Sequence, residues 1–520
     1  MKPLPALSLA SLALAALVPL CPAQTKSAPP PARPAEAVHT QVLSADFADE
    51  PLHLESVGLT FKAPLDATIQ TSQAGPATTI QLIGPDSTWR IVVSTSRVSP
   101  AAPSPTKWLD RTLLDVMSAS SIKDQRTGET IAVKGQITGR TPNFAVPGSS
   151  AGAAPLPAER AYITLPGGAS GAGATVRRGY TVFQPTADSF CIFELLCADA
   201  AFTAGAQRIY ELTIATAHFS DPARLADSRR TAVLTGAAFL SGLTPASFDA
   251  AVAPDTASPA DTTHWFRIFR PAATGAPADA QEAGFRSIRF FKGTLAQIDP
   301  KAASPTPGPA NPEGYLVEIG ARQLQRSAGP SATPGEQATL QVYDIRGIYF
   351  VSADRARELW SISTAIRDGS SKAPSIFTET GTRDGKQMTI LLNVPGQPSR
   401  TIRPTVPPEG YLNQAEVFLL PRLAVAAETE GELGFYAYHT ASGAVVLRRD
   451  TISKDVSPGG VWKVISRQTE GSDPVETLLD TSGRTLRGIW PDGLAIEPMP
   501  LEEIERLWKS KGLPTGSLDR

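Results

Sequence analysis

The last third of the chain is cut into short runs of alternating, aromatic or β-branched residues, each closed by a turn signal. Gly434-Phe-Tyr-Ala-Tyr-His439, Val445-Val-Leu-Arg448, Trp462-Lys-Val-Ile-Ser-Arg467, Glu476-Thr-Leu-Leu479 and Thr485-Leu-Arg-Gly-Ile489 follow one another. Turns at Ala441-Ser-Gly443 and Thr481-Ser-Gly483 join two of the pairs. A period of two fits a strand that presents alternate side chains to opposite faces. Turns this short join antiparallel neighbours. The ending is therefore a meander of strands.

The same reading extends upstream. Strands are expected at His264-Trp-Phe-Arg-Ile-Phe269, 283–291, 314–319, 340–343, 347–351, 375–378 and 387–392. Three helices interrupt them. Asp354 to Ile366 carries Leu359, Trp360 and Ile366 on one side, and Leu412 to Ala427 is helical up to Pro421, which should kink or stop it. The last helix has the most complete signals: Pro500 before it, Glu502 and Glu503 in its first turn, Lys509 and Lys511 at its end, then Gly512 and Pro514. Its acidic cluster complements the helix dipole and does not make a metal site.

A chain of 520 residues exceeds one ordinary core, and two domains are expected. Ahead of the first lies an export signal, residues 1–23. Lys2 supplies the positive start, Leu7 to Val18 the apolar middle, and Cys21-Pro-Ala23 the cleavage site before Gln24. The apolar run is too short for a stable membrane span, so the mature protein is expected to have none. Cys21 follows Leu20, whereas a lipidated cysteine normally follows Gly, Ala or Ser, so a lipid anchor there is not expected. The protein is accordingly placed in the periplasm or outside the cell. Residues 24–49 read as a Pro/Ala-rich tether.

Structure then begins near Pro51. Strands at 58–62, 79–83 and 89–94 precede a helix with Leu109, Leu113, Val116 and Met117 at helical spacing. Further strands follow at 129–134, 161–165, 178–183 and 190–196, with a Pro/Gly/Ala/Ser loop from Thr141 to Pro157 and a closing helix from Ala200 to Phe219. This order is an α+β pattern with mainly antiparallel strands. The segments Gly58-Leu-Thr-Phe-Lys-Ala-Pro64, the hairpin through Trp89, Arg178-Gly-Tyr-Thr-Val-Phe183 and Thr213-Ile-Ala-Thr-Ala-His-Phe219 together resemble the PsbP-like domain, which implies an antiparallel-sheet α/β/α sandwich over residues 50–222. That family binds partners or metals in some members, and no functional residue carries over.

Residues 223–261 read as a helix, Leu225 to Leu243, followed by a linker from Pro245 to Pro259. The second domain, 262–520, is similar to the LolA/LolB-like lipoprotein-carrier superfamily. The resemblance rests on 434–438, 462–467 and Thr477-Leu-Leu-Asp480 with Ser482-Gly483. It implies a large curved antiparallel sheet, a half-barrel, wrapped around a few helices with an apolar hollow for acyl chains.

Formal charge is −2, and aromatic residues, 7% of the chain, are not interleaved with a basic stripe. Nucleic acid is therefore not an expected partner. After signal removal two cysteines remain, Cys191 and Cys197. Six residues of strand separate them by about 20 Å, while a disulfide needs Cα atoms within about 7 Å. They share strand parity with Phe193 and Leu195 and read as core residues. Gly148-Ser-Ser-Ala-Gly152 matches a nucleophile pattern around Ser150, but no helix follows it. Ser104-Pro-Thr-Lys107 and Ser120-Ser-Ile-Lys123 lack the partner motifs of Ser-x-x-Lys enzymes. His39, His53, His218, His264 and His439 have no metal-ligand spacing. No phosphate loop or dinucleotide fingerprint occurs, so no cofactor is expected.

The densest aromatic set is Trp265, Phe269, Tyr436, Tyr438 and Trp462. These residues either pack an ordinary sheet core or line an apolar ligand cavity. The expectation is an exported, non-enzymatic binding protein whose partner is a lipid-like ligand or another envelope protein. The rival readings are a purely structural interaction protein and a hydrolase using Ser150. The oligomeric state is left open.

Overall fold

The computed structural model describes residues 46–515 apart from 55–56, 75–76, 98–103, 119–120, 124–129, 133–134, 147–155, 166–174, 187–188, 254–262, 273–278, 299–310, 328–338, 368–372, 455–460, 471 and 492. The expected export signal, Cys21, most of the expected tether, Ser120 and the segment around Ser150 lie outside the described residues. The chain divides into two compact units between Ser228 and Arg229. It is an α+β protein, strand-rich in both units.

The strands of the first unit are β1 (Leu52–Leu54), β2 (Leu59–Phe61), β3 (Thr68–Ala74), β4 (Ala77–Ile83), β5 (Trp89–Arg97), β6 (Ser121–Lys123), β7 (Thr130–Ala132), β8 (Gln136–Val146), β9 (Leu156–Leu165), β10 (Val176–Thr186), β11 (Ser189–Ala198) and β12 (His218–Phe219). Seven of them form one antiparallel sheet in the order β3-β4-β5-β11-β10-β9-β8. Central strand β11 shows how it is covered. Phe190 and Ile192 face helix α1 (Pro105–Ser118) through Leu109 and Leu113. Cys191, Phe193, Leu195 and Cys197 face helix α2 (Gln207–Ala215) through Ile209, Tyr210 and Ile214. Helices on both faces make an α/β/α sandwich. Both thiols are free and buried, and burial pushes the Cys197 thiol up to about 12, which suits a core residue rather than a nucleophile.

One correction belongs to this unit. The expected loop from Thr141 to Pro157 is strand at both ends, in β8 and β9, which pair with each other. Ser104 precedes α1, and its Oγ accepts the Lys107 N–H at 3.4 Å. It caps the helix.

The second unit holds β13 (Thr263–Arg270), β14 (Gln281–Thr294), β15 (Glu313–Ser327), β16 (Thr339–Ser352), β17 (Arg357–Arg367), β18 (Ser375–Asp384), β19 (Gln387–Asn393), β20 (Arg400–Ile402), β21 (Tyr411–Leu412), β22 (Gly431–His439), β23 (Ala444–Lys454), β24 (Trp462–Arg467), β25 (Val475–Leu479), β26 (Thr485–Ile489) and β27 (Ala495–Pro498). All fifteen join one sheet. Its order runs from β20 back through β19 to β13, then β27 back through β26 to β21. The meander is thus two successive runs of strands, closed on each other where β13 pairs with β27. Strands β20 and β21 are free edges, so the sheet is open.

Register carries one face from strand to strand. Arg286 lies opposite Phe266 and Ala321, Ala321 opposite Ile345, and Ile345 opposite Thr364. On the same face Trp360 lies opposite Tyr349, and Ile362 opposite Glu379. This is the inner face, and helix α5 (Gln414–Ala426) packs on it through Ala415, Leu419 and Leu423. At the other end, Leu433 and Phe435 of β22 lie opposite Asp450 and Arg448 and share that face. Tyr438 points the other way, yet it packs against Trp360 with ring centroids 5.5 Å apart. The β22 end of the sheet therefore lies inside the curl formed by β16 to β18, as in a scroll.

Three sequence expectations change here. Residues 354–366 are not a helix. Most of them form β17, where Trp360, Ile362 and Thr364 alternate with Ser361 and Ser363 between two paired neighbours. Pro245 to Val252 is not a linker but helix α4, which follows helix α3 (Pro222–Gly242) across an 87° bend. Thr244 and Ser247 form its capping box, and Phe248 stacks on Tyr315 at 4.9 Å. Helix α5 continues through Pro421. An interior proline costs about 3 kcal/mol, and burial of Leu419, Leu420 and Leu423 on both sides offsets it. Helix α6 (Leu501–Ser510) is found as expected, with Ile504 and Trp508 buried against Phe285.

One contact in this unit depends on glycine. Helix α3 crosses β22 where Gly236 meets Gly434, and a Cβ on Gly236 would lie 2.1 Å from the Gly434 carbonyl oxygen. No single helix among the described residues is long and apolar enough to cross a membrane.

Candidate functional site: a cavity inside the curled sheet

Between α5 and the inner face of the second unit's sheet lies a cavity of about 650 Å³. Its wall is made by period-two strands that turn the same parity inward. Strand β13 contributes Phe266 and Ile268; β14 contributes Arg286, Ile288 and Phe290; β15 contributes Ile319, Ala321 and Gln323. The far side is Val464 of β24, Thr477 of β25 and Ile496 of β27. Helix α5 supplies Val417, Phe418, Pro421 and Arg422. The volume falls in the range of about 300–1,000 Å³ usual for small-molecule sites.

The charged groups of the wall differ in how they are held. Arg448 donates to both carboxylate oxygens of Asp450, at 2.7 and 2.8 Å. Arg422 donates to the Ala251 carbonyl at 2.9 Å and reaches His264 Nε2 at 3.0 Å. A guanidinium has no lone pair to accept with, so His264 Nε2 is the acceptor and the ring proton sits on Nδ1. Asp480 accepts from Ser482 and Arg484 within its own turn, which holds it below the usual carboxylate range against the cost of burial. Glu502 is exposed in the first turn of α6.

Arg286 is different. Its Nε is buried and has no hydrogen-bond partner. Its guanidinium carbon lies 5.2 Å from the Phe266 ring centroid, a cation–π contact. Burial pulls its pKa down to about 10, with no neighbouring acid to raise it again, so it remains charged at neutral pH. A second wall residue, Trp490, has a buried indole N–H without a partner.

A contrasting polar cluster lies where β22 meets β17 and β18. Glu379 is buried, and its carboxylate accepts from Trp360 Nε1 at 2.7 Å, Thr440 Oγ1 at 3.3 Å and Tyr438 Oη at 3.4 Å. Desolvation pushes Glu379 up to about 7 despite these donors. The next cluster fastens α5 to the sheet. Glu358 accepts from Arg383 Nε at 2.9 Å, Tyr411 Oη at 2.7 Å and the Gln414 N–H at 2.9 Å. In both clusters the carboxylate is met by several donors, and the contacts hold elements together.

The five aromatic residues singled out from the sequence are not brought together. Trp265 borders the cavity, but its ring packs with Phe285 and the Trp508 cluster. Phe269 packs with Ala280 and Ala495, and Arg267 lies over its ring at 4.1 Å. Tyr438 is in the Trp360–Glu379 contact, Tyr436 is partly buried beside the same core, and Trp462 is buried with Leu433, Phe435 and Ile452. The aliphatic and arginine residues that do form the wall were not singled out. His439 is buried, and desolvation lowers it to about 4; it bonds Ser442 rather than any catalytic partner. No group of three or more His, Cys, Asp or Glu suited to a metal occurs among the described residues.

No protein-family model matches the chain, and no curated protein matches it. Among solved structures the chain is similar to a β-barrel-like protein of a domain of unknown function, DUF1849, from Brucella abortus. Identity is 12% and the TM-score 0.29, over 46% of this chain and 95% of that one.

Proposed function

We propose that this is an exported, non-enzymatic binding protein of the cell envelope that holds an apolar ligand in the cavity of its second unit. The observation that carries the reading is the cavity itself: about 650 Å³ of space walled by Phe266, Ile288, Phe290, Ile319 and Ile345. The space opens to solvent, and its size together with the apolar strand residues on its inner wall suits a small-molecule guest. Kinship of this unit with the LolA/LolB-like carriers, and of the first with PsbP-like domains, is part of the proposal. So are periplasmic or secreted localisation, the absence of a lipid anchor at Cys21, and a lipid-like ligand rather than nucleic acid as partner.

The test is organic extraction of the purified full-length protein with mass spectrometry of the extract, together with titration by a neutral hydrophobic dye. Co-purifying lipid or saturable dye binding near one equivalent is expected. An empty extract and linear, non-saturating fluorescence would refute the reading.

A further inference from the structure

We infer that the cavity's occupant is an anionic amphiphile: an alkyl chain lying on the inner face of the sheet, with one acid group seated on the Arg286 guanidinium. The inference rests on the cavity reading and names the chemistry of its ligand.

Among the described residues four arginines of this unit are buried, whereas Arg286 is half-buried with its Nε shielded from solvent. Arg267 meets Glu282 at 2.6 Å, Arg322 meets Asp344 at 2.6 Å, Arg383 meets Glu358 at 2.9 Å and Arg448 meets Asp450 at 2.7 Å. Each buried guanidinium has its carboxylate, as the cost of removing a charge from water requires. Arg286 has none. It occupies one inward position of β14, in line with Ile288 and Phe290, where an aliphatic residue would continue the wall. A cation–π contact with Phe266 is its compensation, and such contacts are worth about 0.5–2 kcal/mol.

The wall's unmet polar groups have one sign. Arg286 Nε and Trp490 Nε1 are both donors without acceptors. The cavity therefore asks for an acceptor, and beside a guanidinium the acceptor that gains most is an anion. The acids in the wall do not supply it: Asp480 is bonded within its turn and Glu502 is exposed. Beyond Arg286 the same face continues through Ile288, Phe290, Ile319 and Ile345, which suits the tail. A ligand with one acid group and one alkyl chain meets both requirements at once.

The experiment uses full-length protein stripped of lipid, a bound neutral dye, and displacement by three probes of one chain length: hexadecanoate, hexadecanol and hexadecyltrimethylammonium. Hexadecanoate should displace the dye at a concentration at least tenfold lower than hexadecanol, with the cation weakest. Dodecyl phosphate against dodecanol should show the same preference, and comparison with dodecanoate tells a carboxylate from a phosphate headgroup. In Arg286→Met the preference for hexadecanoate over hexadecanol, read as the ratio of the two displacement concentrations within that variant, should disappear. Equal displacement by acid and alcohol in the wild type, or a preference kept in Arg286→Met, would overturn the inference and leave the cavity reading intact. Failure of dye and all probes to bind would overturn both. The wild-type comparison of acid with alcohol decides the matter even if the variant does not fold.

Discussion

Two ionisable side chains on the inner face of the second unit's sheet lack an opposite charge, and their surroundings differ. Glu379 lies where the curled end of the sheet packs back on itself; it is buried, and three neutral donors converge on its carboxylate. Arg286 lies where the curl stays open around α5, with a cavity in front of it and Nε unpaired. The same burial acts on both groups, raising the pKa of one and lowering that of the other. The difference lies in satisfaction. A buried polar group that is fully bonded holds a fold together, whereas one left open beside a void is available to a ligand. That contrast separates structural polarity from a candidate site more sharply than aromatic density does.

The largest effect expected from testing it is in a paired arginine of the same cavity wall. Arg448→Met strands Asp450, which is fully buried, and should destabilise the second unit by about 3–5 kcal/mol in urea unfolding. The same exchange at Arg286 removes a charge that no acid needs; stability should be unchanged or about 1 kcal/mol higher. A loss at Arg286 as large as at Arg448 would mean that the lone arginine is structural after all.

The next effect is a pH dependence. Glu379 rises from 4.5 to about 7 on folding, so the folded state binds its proton more tightly than the unfolded one. Its contribution is therefore greatest below pH 4.5 and is lost as pH rises through about 7, a change of roughly 3 kcal/mol. His439, lowered from 6.5 to about 4, works in the opposite direction: its contribution is present above pH 6.5 and lost as pH falls through about 4. The two slopes nearly cancel between pH 4.5 and 6.5, so the wild type should show a net loss of at most about 1 kcal/mol between pH 6.5 and 8. Glu379→Gln, which keeps an acceptor for Trp360, should flatten that limb, and thermal melts of the two proteins at each pH give the Glu379 contribution by difference. Parallel profiles would show that this carboxyl is not displaced by burial.

The smallest effect checks the distinction in the first unit. Ser104→Ala removes a long cap contact to α1 and should cost about 0.5–1 kcal/mol in thermal melts of the full-length chain. No labelling of Ser104 by a serine-directed acylating reagent is expected, and labelling would overturn its reading as a simple cap.

Much of the strand inventory was legible from periodicity, including the closing meander, the last helix and the shared face of Cys191 and Cys197. Errors arose where two periods fit the same residues. Leu359, Trp360 and Ile366 satisfy a helix, but Trp360, Ile362 and Thr364 also alternate, and pairing with β16 and β18 decided for strand. By composition the segment after Thr244 reads as a linker, although Thr244, Pro245 and Ser247 form a helix start and Phe248, Ala251 and Val252 an apolar stripe. Helix α5 passed Pro421 because burial on both sides outweighed the missing hydrogen bond.

The candidate site was less legible for a different reason. In Gly284-Phe-Arg-Ser-Ile-Arg-Phe-Phe291, Arg286 shares a face with Ile288 and Phe290, while Arg289 shares one with Phe285 and Phe291. Both sets contain an arginine and aromatic residues, so alternation separates the two faces without saying which is inside. By itself the sequence determined where strands run and which residues share a side, because side-chain alternation is a local property of extended backbone. Only the tertiary structure decided which side became the interior and which charges met there. Those outcomes depend on pairing between β13 and β27 and on contacts such as Glu379 with Tyr438, 59 residues apart in the chain.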